Sequence, residues 1–238
     1  MLKLESDDIL NFWFQSNDDI PTQKERRIWF FKKHDKEIKS KFSDLYLKVK
    51  NAQPHHIDNL IELLHTLTYN IETNKPREII KYLNQYVIIT FQSALATVIL
   101  FDQMAKNMFR NEPESFKHQT VISNFVWDLF ARIDPIIMAF LATPKQFFFL
   151  ALCLIHYENT QYLDFAKDYS IKYFENYFSL IDDNDNVRLN ILYPLMESIQ
   201  KHKSILLQFG RYPKRNAALS RISTQEELSY IKNNYKFV

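Results

Sequence analysis

Residues 209–216 read FGRYPKRN, and Gly210 within them is the only glycine in 238 residues. Average usage would be roughly 7%. Sheet proteins place glycine at hairpins and bulges, where φ turns positive. A chain with one glycine has almost no such turns, so the expected fold is all-α. In the stretch itself, a glycine following ILLQF reads as a helix stop, because the left-handed residue there needs no Cβ. Pro213 then stiffens the turn, so that Arg211 and Arg215 leave it in set directions.

Helix signals run outward from this point in both directions. Downstream, STQEELSYIK carries a capping box, Thr224 with Glu227 three residues on. Upstream, Ser6-Asp7-Asp8 is expected to cap a helix through ILNFWF, with acids suited to its positive end. Pro21-Thr22 opens a second helix, predicted to continue through about residue 50 on the spacing of Trp29, Phe30, Ile38 and Phe42. HIDNLIELLHTLTYNIE places Ile57, Leu60, Leu64, Leu67 and Ile71 on one stripe, and Pro76 starts another helix. NEPESF is a turn before VISNFVWDLFARI, and Asp134-Pro135 and Thr143-Pro144 each restart the chain with proline at the first helical position. QYLDFAKDYSIKYFENYFSLI is amphipathic, and DDNDN is a loop. The reading is of roughly nine or ten helices of about 10–20 residues in a single domain, residues 1–238, with no strand.

Composition narrows the classes of function. Hydrophobic residues at 46% and aromatics at 15% exclude disorder. Lys and Arg number 30 against 28 Asp and Glu, a balance that argues against a nucleic-acid or membrane-surface protein. Cys153 is the single cysteine, reads as a small buried hydrophobe in FFFLALCLIH, and can form no internal disulfide. The acidic start MLKLESDDILNFWF is unlike a signal peptide, and a cytoplasmic location is expected. YVIITFQSALATVILF (86–101) is broken by Gln92 and Ser93, and FFFLALCLIH (147–156) is short of the roughly 20 residues of a membrane span; both read as buried core helices.

No standard catalytic motif is present. One glycine cannot build a phosphate loop, and there is no nucleophile elbow, cysteine pair or His-Glu-x-x-His. No cofactor is assigned. His55 and His56 sit in a polar turn after a proline and are not taken as a metal site.

Three segments interrupt apolar helices with polar groups. In ILFDQMAKNMFR, Gln103, Asn107 and Arg110 align at helical spacing, with Asp102 on an adjacent face. In LALCLIHYEN, His156 and Glu158 end an apolar helix. In KHKSILLQFGRYPKRN, His202 shares the apolar stripe with Ile199 and Leu206, and Arg211, Arg215 and Asn216 follow the glycine. From Ser198 to Gln225 there is no acid, yet Lys201, Lys203, Arg211, Lys214, Arg215 and Arg221 all fall there. Their anions are either carboxylates of the fold, with Asp102 and Glu158 as candidates, or a bound phosphate or carboxylate. Unspecific surface charge is the third alternative.

These same segments, with ILNFWF and IWFFKKHDKEIKSKF, resemble the bacterial domain-of-unknown-function family 924 over roughly residues 9–42, 97–116, 147–158 and 197–231. The family pattern falls on Trp13, Asp35, Asp102, Gln103, Asn107, Arg110, His156, Glu158, His202, Phe209, Gly210, Arg211, Pro213, Arg215 and Asn216. This chain departs from it at Lys106 and Lys203, where arginine is usual, and at Tyr157, where serine is usual. Residues about 50–90 look longer than the family's equivalent and lack its tryptophan. The resemblance implies a tetratricopeptide-like antiparallel helix array and no activity.

Three functions are compatible with the residues. The first is a binding or scaffold protein whose cleft holds an anionic small molecule or acidic peptide, gripped by Arg110, Arg211 and Arg215 and oriented by Gln103, Asn107 and Asn216. The second is a hydrolase or transferase on a phosphorylated or carboxylated substrate. There His156 or His202 is acid or base, oriented by Glu158 or Asp102. The third is a buried network that locks the terminal helices to the core.

Overall fold

The computed structural model describes residues 3–51, 62, 63, 65, 66, 83, 85–181 and 185–234. The expectations for the Ile57–Ile71 stripe, for a helix opening at Pro76 and for His55 and His56 lie outside these residues, save that residues 62, 63, 65 and 66 are helical. Among the described residues the protein is all-α, with ten principal helices and no strand. They are α1 (Lys3–Trp13), α2 (Gln23–Phe30), α3 (Asp35–Asn51), α4 (Gln85–Met108) and α5 (Gln119–Arg132). Then follow α6 (Pro135–Leu141), α7 (Pro144–Ile155), α8 (Thr160–Leu180), α9 (Tyr193–Phe209) and α10 (Gln225–Asn233).

Several starts and stops follow local chemistry. Thr22 and Glu25 form a capping box at α2, as Thr224 and Glu227 do at α10. Asp134 caps α6 through the Ile136 amide, with Pro135 at the first helical position. Gly210 ends α9 at φ +69°, its amide bonded to the Leu206 carbonyl at 2.8 Å.

Two expectations require correction. Ser6 does not cap α1 but lies inside it, buried against Ser93 of α4, because packing on α4 overrides the local capping preference. The helix opened by Thr22 does not run to residue 50. Phe31 is extended, a 3₁₀ turn spans Lys32–His34, and α3 restarts at Asp35. That break frees Asp35 to face Arg110, described below.

The core is one cluster of buried side chains running from Ile9 to Tyr212. Helix α7 is its centre, packing against α4, α5, α8 and α9. The chain's abundant aromatics do this packing: Phe147 lies flat on Tyr173 at 3.7 Å, and Phe130 on Tyr169 at 4.1 Å, joining α5, α7 and α8. At the other end Trp13, Phe14 and Trp29 close on Phe149. Helix α4 is long and apolar enough to cross a membrane, with mean hydropathy 1.5, yet 83% of that window is buried inside the protein. Its apolar surface is covered by α1, α3, α5 and α7.

Candidate functional site

Five segments converge where α4 and α7 end. The first is irregular: residues Ile99–Met104 of α4 form a π-helical turn, and all six are buried. Such turns cost hydrogen-bond geometry and recur at functional sites. Asp102 sits on this turn, 1% exposed. Lys106 follows one turn later, His156 terminates α7, Gln119 begins α5, and His202 comes from the middle of α9.

Asp102 is bonded on every side. Its carboxylate lies 2.9 Å from His156 Nδ1, and it also accepts from Lys106 Nζ and Gln103 Nε2. Lys106 reaches the Asp102 carbonyl at 2.9 Å and Gln119 Oε1 at 3.1 Å, with His156 Nδ1 also 3.1 Å away. Burial disfavours the carboxylate, but His156 and Lys106 together hold Asp102 well below the usual carboxylate range. Burial pushes the Lys106 ammonium down, opposed by Asp102. Burial also lowers His156 to about 4, again opposed by Asp102 and assisted by Lys106 and Arg215. His156 is therefore neutral near pH 7. The three N–H groups of Lys106 are taken by the Asp102 carbonyl, the Asp102 carboxylate and Gln119 Oε1, so none is left for Nδ1. A carboxylate can only accept, so Nδ1 carries the proton and Nε2 is a bare lone pair. Nε2 has no hydrogen bond to the described residues, and the side chain is 18% exposed.

His202 is held the same way. Its Nδ1 lies 2.8 Å from the Ser198 carbonyl, which can only accept, leaving Nε2 bare. Burial lowers its pKa, opposed by the Ser198 bond, while Arg215, Lys106 and Lys201 lower it further. The two imidazoles are 6.3 Å apart between ring centres, and His202 meets Tyr212 edge-on at 5.4 Å.

The turn after Gly210 completes the cluster. Tyr212 Oη donates to the Ile155 carbonyl at 2.6 Å, and its amide donates to Glu158 at 2.9 Å, so the turn is clamped to the end of α7. Arg215 lies over the rings of Tyr212 at 4.5 Å and Phe116 at 4.9 Å. It is half-buried and makes no ion pair with the described residues; Glu158 and Asp102 attract it only from a distance.

The other candidates are engaged with carboxylates of the fold. Arg110 grips Asp35 at 2.6 and 2.9 Å, and Asn107 donates to the same carboxylate at 3.1 Å. Arg211 grips Glu227 at 2.7 and 2.9 Å, and Asn216 donates to Glu227 at 3.2 Å. Glu158 pairs with Arg221 at 2.8 Å. Glu158 thus answers the basic stretch through Arg221, as expected, whereas Asp102 serves Lys106. Elsewhere in the acid-free stretch from Ser198 to Gln225, Arg211 is answered by Glu227, two residues beyond its end, and Lys203 by Asp164. Sequence reasoning missed Lys106, Gln119, Phe116 and Tyr212 as members of the site. Two carried a signal: Tyr212, as the aromatic inside FGRYPKRN, and Lys106, inside ILFDQMAKNMFR where the family usually has arginine.

A separate cavity of about 520 Å³ lies between α5, α6 and α8, lined by Phe130, Arg132, Asp134, Phe165 and Lys172, and none of Asp102, Lys106, His156, His202 and Arg215 lines it.

Fold and site define an all-helical protein with a buried Asp–His–Lys cluster at the mouth of an arginine-bearing turn. A family profile described as a bacterial protein of unknown function (DUF924) matches residues 9–234, and the chain belongs to that family. A protein of unknown function from Agrobacterium tumefaciens has a similar structure, with a TM-score of 0.61 and 21% identity over 96% of this chain and 97% of that one. At that identity the likeness concerns the fold. No curated protein matches the sequence.

Proposed function

We propose that this protein binds a small anion, a phosphate or carboxylate group carried by a metabolite or an acidic peptide, at Arg215. One observation supports the reading above the rest. Arg110, Arg211 and Arg221 each hold a carboxylate, whereas Arg215 is half-buried between two aromatic rings without one among the described residues. A partly desolvated guanidinium without a counterion is costly, and a bound anion removes the cost. The cytoplasm is the setting this reading assigns.

The test is a thermal-shift screen of phosphorylated and carboxylated metabolites and acidic peptides on the wild type and Arg215→Met. A ligand at one hundred times its Kd should stabilise the wild type by about 2.7 kcal/mol and the variant by nothing. Equal shifts in both proteins would sink the proposal.

Hydrolase or transferase chemistry is favoured by one contact, the 2.9 Å bond from His156 to Asp102. It orients an imidazole whose Nε2 takes a proton from water or a substrate hydroxyl. General-base catalysis works best with a pKa near the working pH, and a histidine lowered to about 4 is a weak base. Binding is for that reason the better-supported role.

A further inference from the structure

Resting on the Arg215 reading, we infer that the site selects anions that also carry a hydroxyl or P–OH donor, such as hydrogen phosphate, a phosphate monoester monoanion or a hydroxy acid, over anions that only accept.

The argument is one of matched donors and acceptors. An anion at Arg215 meets guanidinium N–H groups, which every anion satisfies. Within electrostatic reach of that guanidinium stand two imidazoles with their tautomers fixed from behind. His156 is fixed by the Asp102 carboxylate and His202 by the Ser198 carbonyl, both acceptors only. Each presents Nε2 as a lone pair. The rings are close, 6.3 Å between centres, and His202 shares Tyr212 with Arg215 at 5.4 and 4.5 Å.

The charged groups around them allow no easy exchange of roles. His156 faces Asp102 and Lys106, and both imidazoles feel the positive charge of Arg215 and Lys106, which resists a further proton on either ring. An oxyanion without hydrogens would press its lone pairs against those of Nε2. One with a hydroxyl would donate to it. A polar site that is left unpaired by the wrong ligand discriminates far better than an apolar one.

Hydrogen phosphate and sulfate are the cleanest probes, being alike in shape and, at about pH 8, in charge, and differing by one proton. Calorimetric titration of the full chain with sodium phosphate and sodium sulfate at equal ionic strength should give phosphate at least about tenfold the affinity of sulfate. Arg215→Met should abolish both. His202→Phe, which keeps a ring against Tyr212 and removes one acceptor, should narrow the phosphate preference while sulfate binding persists. Sulfate binding as well as phosphate, or an unchanged preference in His202→Phe, overturns the donor requirement and leaves the anion site standing. Failure of both anions to bind the folded wild type overturns the anion site itself, and the inference with it.

Discussion

Arg215 and the two histidines show how residue chemistry is decided by what stands behind each group. An acceptor behind Nδ1 forces the proton there and strips Nε2, in both rings. The protonation states have a direction with pH. His156, lowered to about 4 by burial, binds fewer protons folded than unfolded between about pH 4 and its ordinary value near 6.5. Stability must therefore fall as pH drops through that window, and His202 adds to the fall in the same sense. Nitrogen chemical shifts of the imidazoles should show both rings as neutral Nδ1–H tautomers at about pH 8. The opposite tautomer at His202 would refute the arrangement. His156, His202 and Asp102 were legible in the sequence as polar interruptions of apolar helices. Their pairing was not, because Asp102 and His156 are separated by 54 residues and meet only when α4 and α7 pack.

At the scale of the element, the turn FGRYPKRN depends on one backbone conformation. A Cβ added at Gly210 would meet nothing within 4 Å, so the cost of Gly210→Ala lies in the left-handed φ of +69° alone. Denaturant unfolding should show a loss of about 1–2 kcal/mol. A loss well below this would mean that the turn relaxes, and Arg215 with it. Caps were the most legible feature, since Thr224 and Glu227 signal a helix start from four adjacent residues. Their second use was hidden. Glu227 caps α10 and also receives Arg211 and Asn216, just as Glu25 caps α2 and also receives Lys145. The spacing of a capping box says nothing of which distant cation turns toward its carboxylate. The break at Phe31 was missed for a related reason: the helical spacing of Trp29, Phe30 and Ile38 continues across it.

For the whole molecule, Lys145 is the deepest polar tie. Its side chain is 2% exposed and bonds Glu25 at 2.8 Å, with the Ser16 carbonyl at 2.7 Å and hydroxyl at 2.9 Å, fastening α7 to the α1–α2 corner. Removing one partner of such a pair strands a buried charge, so Lys145→Met should cost about 3–5 kcal/mol in equilibrium unfolding. Adding Glu25→Gln to it should recover part of the loss. A double variant as unstable as the sum of the singles would deny the coupling.

The sequence by itself determined that the protein is helical, where several helices begin and where one must stop, because those follow from glycine scarcity, prolines and caps that act within a few residues. It also marked the polar segments that form the site. Only the tertiary structure decided that Arg215, unlike Arg110, Arg211 and Arg221, meets no carboxylate among the described residues, and which histidine faces which acceptor. Ion pairs join residues scores of positions apart, and a side chain's partner is chosen by helix packing, which no local pattern encodes.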